Sequence, residues 1–164
     1  MAVSQGRAGS TRVFGGSVAG ALMEDLRFHH LGLATRRIET EAAALAALGY
    51  RREGPAFTDP AQGVQGQFVV GPGPRIELVA PSGVSRTLEP WLAKGIKLYH
   101  HGFEVSDLDG ALQRYRAGGA VILGPPTRAV AFDGRRIAFL MLPSLLLIEL
   151  IELGTARDDQ AAGR

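Results

Sequence analysis

The chain carries one pattern twice, and that duplication restricts it to folds assembled from two copies of a single unit. "HHLGLATRRIETEAAALAALGY" begins at His29, and "YHHGFEVSDLDGALQRYRAGGA" begins at Tyr99. Each copy opens with a His two residues before a Gly: His30 before Gly32, and His100 before Gly102. Each later reaches an apolar stretch with one embedded carboxylate, Glu77 in "RIELVAP" and Glu149 in "LLLIELIEL". His30 and His100 stand 70 residues apart, Glu77 and Glu149 72. Two half-units that cannot bury a sheet face alone pair through that face. A His and a Glu from each half then meet at the join.

The periodicity predicts βαβββ in both halves. Leu26 to Thr35 alternates as a strand, and Ile38, Ala42, Leu45 and Leu48 form a helical stripe ended by Gly49. Strands are expected around 50–52, 64–70 and 75–80, with Pro72, Gly73 and Pro74 turning the last two. A linker with a short helix over 86–94, capped by Ser85 and Gly95, leads to a strand at 97–106. Asp107 caps a helix over 108–117, stopped by Gly118 and Gly119. Strands follow at 121–123, 136–142 and 145–153. The predicted class is α+β: two tandem βαβββ modules forming a cup-shaped mixed sheet. Module one spans 26–81, the linker 82–96 and module two 97–153.

Strand alternation selects one His from each doublet. His30 shares a face with Gly32 and Ala34, and His100 with Gly102 and Glu104. His29 and His101 fall on the opposite faces with Leu31, Leu33, Phe103 and Val105. Taken alone, the second doublet allows either His; the small residues that follow point to His30 and His100. A carboxylate amid an apolar strand is costly to bury unpaired. Glu77 or Glu149 singly reads equally well as a solvent-facing group, whereas matched positions in both halves favour a shared site. Glu152, near the strand end, reads as solvated. Two imidazoles and two carboxylates suit one divalent ion, Zn, Ni, Co, Fe or Mn, and do not choose among them.

Composition narrows the rest. The 164 residues fit one domain or two fused halves, and there is no cysteine for a disulfide or thiolate site. Net charge is +2, with no basic stripe interleaved with aromatics, so nucleic acid is not expected as a partner. No apolar run approaches the roughly 20 residues of a membrane span. Residues 1–25 are rich in Gly, Ser and Ala, and "VFGGSVAGALM" lacks the density of a secretory h-region. They are expected to form a disordered arm, as is the tail from 154 to 164. A cytoplasmic location is the expectation.

The stretches "HHLGLAT", "IELVAP", "WLAKGIKLYHHGFEVSDLDGAL" and "RRIAFLMLPSLLLIELIE" resemble the vicinal-oxygen-chelate superfamily, which includes glyoxalase I, methylmalonyl-CoA epimerase, extradiol dioxygenases and the fosfomycin- and bleomycin-resistance proteins. The resemblance covers about Leu26 to Glu152 and is nearest the epimerase and glyoxalase branch. It implies paired βαβββ modules around a metal, and it places the ligands on His30, Glu77, His100 and Glu149. It also implies Glu149 as a proton-transferring base, a small-molecule substrate and a homodimer. The family's alternatives are a ligand-binding or antibiotic-resistance protein and an Fe(II)-dependent dioxygenase. The pattern departs from the epimerases in two places. The third strand, "VQGQFVV", holds no acid, which leaves Gln65 and Gln67 as candidate substrate-binding amides, and "MLPS" replaces the epimerase "HPK" turn. Arg128, Arg135 and Arg136 fall near the expected rim, and Arg128 is the candidate anion contact. Phe68, Phe132 and Phe139 are candidates for core or cavity lining.

Overall fold

The computed structural model describes residues 26–154; the expected N-terminal arm and, apart from Gly154, the expected C-terminal tail lie outside them. Nine strands form one open mixed sheet, ordered β2-β3-β4-β1-β5-β9-β8-β6, with β7 paired to β8. The strands are β1 (Arg27–Ala34), β2 (Arg51–Asp59), β3 (Val64–Val70), β4 (Ile76–Pro81), β5 (Leu98–Val105), β6 (Val121–Ile122), β7 (Thr127–Arg128), β8 (Arg136–Met141) and β9 (Leu147–Glu152). The helices are α1 (Ile38–Ala46), α2 (Glu89–Leu92) and α3 (Leu108–Ala117), with a 3-10 turn at Val130–Phe132. Among the described residues no helix is long and apolar enough to cross a membrane.

The duplication is visible in the pairing. β1 and β5 run antiparallel at the centre, and each has a parallel partner on its outer side, β4 for β1 and β9 for β5. The two carboxylate strands thus flank the two histidine strands. Alternation does the rest. Ile76 and Leu78 bury against α1 with Leu33, Ala42 and Val69, while Ile148 and Leu150 bury against α3 with Leu108, Ala111 and Leu112. The residues between them, Glu77 and Glu149, are forced onto the other face.

Three departures from the sequence expectation have local causes. β2 continues past Gly54 and Pro55 to Asp59, with a register irregularity between Glu53 and Phe57. An edge strand tolerates Pro and a bulge, and the left-handed φ of 64° at Gly54 supplies the kink. Ser85 does not cap α2, because its hydroxyl is engaged with Thr87; the helix starts later, after Leu88. β7, two residues long, is too short to show a period. Asp107 caps α3 as expected, its carboxylate accepting from the Gly110 N–H.

Candidate metal centre

His30 and His100 meet across the β1–β5 pair because each lies opposite the glycine of the other copy. His30 pairs with Gly102, and His100 with Gly32. A Cβ built on Gly32 would fall inside the His100 ring, and one on Gly102 inside the His30 ring. The repeated His-x-Gly is therefore a packing rule: each glycine clears the lane in which the partner's imidazole lies. Both rings are buried, with centroids 5.0 Å apart.

Glu77 and Glu149 close the group from either side. His30 Nε2 lies 3.3 Å from Glu77 Oε2 and 3.3 Å from Glu149 Oε2; His100 Nε2 lies 3.6 Å from each. The two Nε2 atoms are 2.8 Å apart, and one donor atom from each of the four side chains falls within 4.8 Å of the others. Relative exposures of 0% for His30, 2% for His100, 6% for Glu77 and 2% for Glu149 remove the solvent-facing reading of the carboxylates.

Burial sets the protonation. It holds His30 at about 3, helped by the nearby Arg75 charge, and His100 at about 3, helped by His30. Both rings are therefore neutral near pH 7, and their contacts with the carboxylates are not ion pairs. Burial also raises Glu77 and Glu149 above the usual carboxylate range, Glu149 further because Glu77 lies beside it. Neutral imidazoles and carboxylates converge with too few protons to satisfy them, and the enclosed Glu149 Oε2 has no hydrogen-bond partner. A divalent cation answers each of these costs. Ligand atoms about 2.1 Å from one ion sit roughly 3 to 3.4 Å from each other, close to the separations seen here. The donor set fits one borderline divalent ion; its chemistry selects none in particular.

A β-bulge corrects the expected facing of His29. The β1–β5 register slips between Phe28 and His30, leaving His29 as the extra residue on β1. His29 thus turns to the same face as His30 and packs edge-on against Phe68 and Phe132. Its Nδ1 lies 2.8 Å from His30 Nδ1, and its Nε2 accepts from Arg75 Nη1 at 2.6 Å. Arg75 also donates to Glu53 at 2.5 Å and stacks on Phe68. Since Arg only donates, the His29 proton sits on Nδ1 in this arrangement, facing His30. An ion on His30 Nε2 requires the opposite hydrogen bond, from His30 Nδ1–H to His29. His101 stays in regular alternation, opposite His100, as expected.

A second slip, between Gly32 and Leu33, makes Tyr99 the extra residue on β5. Tyr99 occupies the place in copy two that His29 occupies in copy one. It opens onto a cavity of about 210 Å³ whose walls include Glu77, Glu149, Gln62, Thr87, Trp91 and Phe132. Most of the remaining lining is apolar, including Val79, Leu123, Phe139 and Leu147. Phe132 and Phe139 therefore line the cavity, whereas Phe68 packs beneath His29 and His30.

The three expected substrate contacts are not brought to this cavity. Gln65 and Gln67 alternate with Phe68, which pairs with Glu77, so they lie on the opposite face of β3. Gln67 is buried and donates to the Glu53, Gly54 and Phe68 carbonyls, while Gln65 donates to the Pro81 carbonyl. Arg128 is exposed and donates to the Gly134 carbonyl. The cavity's amide is instead Gln62, in the β2–β3 turn. No periodic signal marks a turn residue. Tyr99, by contrast, stood in the repeat beside the His doublet, and only the assumption of unbroken alternation hid it.

Comparison with known proteins gives concordant matches. A family model described as the Glyoxalase/Bleomycin resistance protein/Dioxygenase superfamily matches residues 29–139. An ethylmalonyl-CoA/methylmalonyl-CoA epimerase of Cereibacter sphaeroides is 28% identical over 116 residues, 70% of this chain and 87% of that protein. A methylmalonyl-CoA epimerase structure from Mycobacterium tuberculosis aligns with a TM-score of 0.67 at 25% identity, covering 83% of this chain and 91% of that one. A hypothetical protein from Bacillus halodurans aligns at 0.68 with 21% identity, covering 79% and 96%, and shares the fold.

Proposed function

The chain belongs to the glyoxalase/bleomycin resistance/dioxygenase superfamily, and from that premise we propose that it is a metal-dependent isomerase of the epimerase type, moving a proton α to a substrate carbonyl. One observation carries the reading: four donor atoms converge, and the two residues that supply the carboxylate oxygens also line a small apolar cavity. The 28% identity to an epimerase supports the reaction class. His30, Glu77, His100 and Glu149 would hold the ion, which would supply Lewis-acid polarisation of a carbonyl oxygen.

The protein's own groups supply the rest. Glu149 presents its carboxylate to the cavity and acts as the base that takes the α-proton and returns it. Its Oε2 has no hydrogen-bond partner among the described residues, so no protein donor competes for that oxygen. The apolar walls exclude water from the reacting carbon. Glu77 is the other carboxylate on the wall; Gln62, Thr87 and Tyr99 are the remaining polar side chains among the lining residues. None of those three is a general base at neutral pH.

The test is solvent exchange. Ion-loaded protein is incubated with methylmalonyl-CoA in deuterated water, and loss of the α-proton is followed by NMR. Exchange that needs the ion and disappears in Glu149→Gln is expected. Ion-loaded protein that binds the thioester without exchanging its α-proton would instead make this a ligand-binding member of the superfamily.

A further inference from the structure

Tyr99 is placed by the same kind of bulge as His29, yet it is used differently. Its ring packs edge-on against His100 at 4.5 Å and leans on Trp91 at 5.2 Å, which fixes it on the cavity wall. Among the described residues its hydroxyl has no hydrogen-bond partner. Two other polar side chains on the wall already have partners. Gln62 donates its amide to Asp59, and Thr87 donates its hydroxyl to the Gln62 carbonyl. The phenol and the Trp91 indole N–H are thus the wall donors without a partner among the described residues, in a chamber whose carboxylates, Glu77 and Glu149, only accept when ionised. No Lys or Arg is among the lining residues.

An unpartnered donor on a cavity wall, held against two aromatic rings, is placed to meet an acceptor from outside the protein. We propose that Tyr99 is a further catalytic residue, whose O–H donates to the oxygen of the substrate's reacting carbonyl. This rests on the isomerase reading above. When Glu149 takes the α-proton, the C–H electron pair forms the carbon–carbon π bond. The carbonyl π pair moves onto oxygen, and the Tyr99 hydrogen bond meets the charge that develops there. The phenol keeps its proton throughout, and return of the proton from Glu149 to carbon reverses each shift. A phenol carries its proton at neutral pH, so it remains a donor.

The experiment compares full-length wild type with Tyr99→Phe, both loaded with Co(II). Acetohydroxamate, a small metal-chelating ligand with two vicinal oxygens, is titrated and followed in the visible spectrum. Exchange of methylmalonyl-CoA is measured alongside. The expected result is acetohydroxamate affinity about 10-fold weaker and exchange kcat on the order of 100-fold lower in the variant, with KM and Co(II) affinity unchanged. Equal acetohydroxamate affinity and equal kcat in the two proteins would overturn the role of Tyr99 and leave the isomerase reading standing. Weakened acetohydroxamate binding with no exchange even in wild type would overturn the isomerase reading and keep Tyr99 as a ligand donor. Lost Co(II) affinity in the variant would make Tyr99 a support for His100 and also overturn the proposal.

Discussion

The flanks of His30 and His100 occupy the same position of one repeat and behave oppositely. On the first flank a bulge sets His29 against the His30 ring, and Arg75, Glu53, Phe68 and Phe132 seal it. On the second flank the equivalent bulge sets Tyr99 against His100 and leaves its side chain on the cavity wall, while His100 Nδ1 has no partner among the described residues. The shared parts, His, Gly and the carboxylate strand, build a centre with near two-fold symmetry. The residue one step before each His breaks that symmetry, giving one supported side and one reactive side.

The largest expected effect tests the shared part. His100→Ala removes a donor atom and should cost ion affinity more than the roughly 10- to 100-fold that loss of a supporting partner costs. His101→Ala, on the opposite face, should leave affinity unchanged. Elemental analysis and Co(II) titration decide, and the reverse pattern would break the facing assignment of β5. The protons displaced come from the carboxylates, because the imidazoles are already neutral above about 3. Without an ion, Glu77 and Glu149 hold protons more tightly than in the unfolded chain, so the stability they contribute falls as pH rises from 4.5 through their raised folded values. An ion removes that loss. The rise in Tm on adding Co(II) should therefore be larger at about pH 8 than at about pH 5.5.

The next effect separates the flanks. His29→Ala removes the one hydrogen-bond partner of His30 Nδ1 among the described residues, the ring that would accept from His30 Nδ1–H once an ion is held and the Arg75 contact given up, so ion affinity should fall by about 10- to 100-fold. Tyr99→Phe at the matching position should leave it unchanged. Equal losses at the two positions would mean that both flanks support the centre and would erase the contrast.

Most of this arrangement could be read from the sequence because packing follows alternation. Ile76, Leu78, Ile148 and Leu150 must meet the helices, and Glu77 and Glu149 then have one place to go. The two bulges could not be read, since an inserted residue shifts facing without leaving a compositional mark. That is why strict alternation puts His29 on the wrong face and gives Tyr99 no distinction. Gln65 and Gln67 failed as substrate contacts for a related reason: strand β3 offers its even-numbered side to the site only at Val64, Gly66 and Phe68. Turn residues such as Gln62 reach the cavity through a loop path that no period encodes.

Gly32→Ala and Gly102→Ala test the two lanes directly. Each new methyl meets the opposite imidazole, and overpacking of this kind costs about 1–3 kcal/mol. Thermal unfolding should show similar losses for both. A much smaller loss at Gly32 would mean that the unsupported His100 ring can move aside while the anchored His30 ring cannot, a sharper version of the same asymmetry.

The smallest effect is expected where the halves touch beyond the sheet. Asp59, at the end of β2, accepts from the Gln62 N–H at 3.1 Å, the Gln62 amide at 3.0 Å and the Val130 N–H at 3.1 Å. It thereby ties the β2–β3 turn of the first half to the 3-10 turn of the second, and both turns contribute cavity wall through Gln62 and Phe132. Burial alone would raise its carboxyl, but the bonds from Val130 and Gln62 outweigh it and hold the group below its usual range. The stability this contributes is present above the unfolded carboxylate value and is lost as pH falls through the folded one. Asp59→Asn keeps the shape but turns an N–H toward one of these donors, at a cost of about 1 kcal/mol. Urea unfolding should report that loss near neutral pH, shrinking in acid as the wild-type carboxylate protonates. Ion affinity should not change, because Asp59 touches neither histidine flank. If it falls, the cavity roof contributes to the centre, and the contrast between the two flanks extends beyond the residues next to each His.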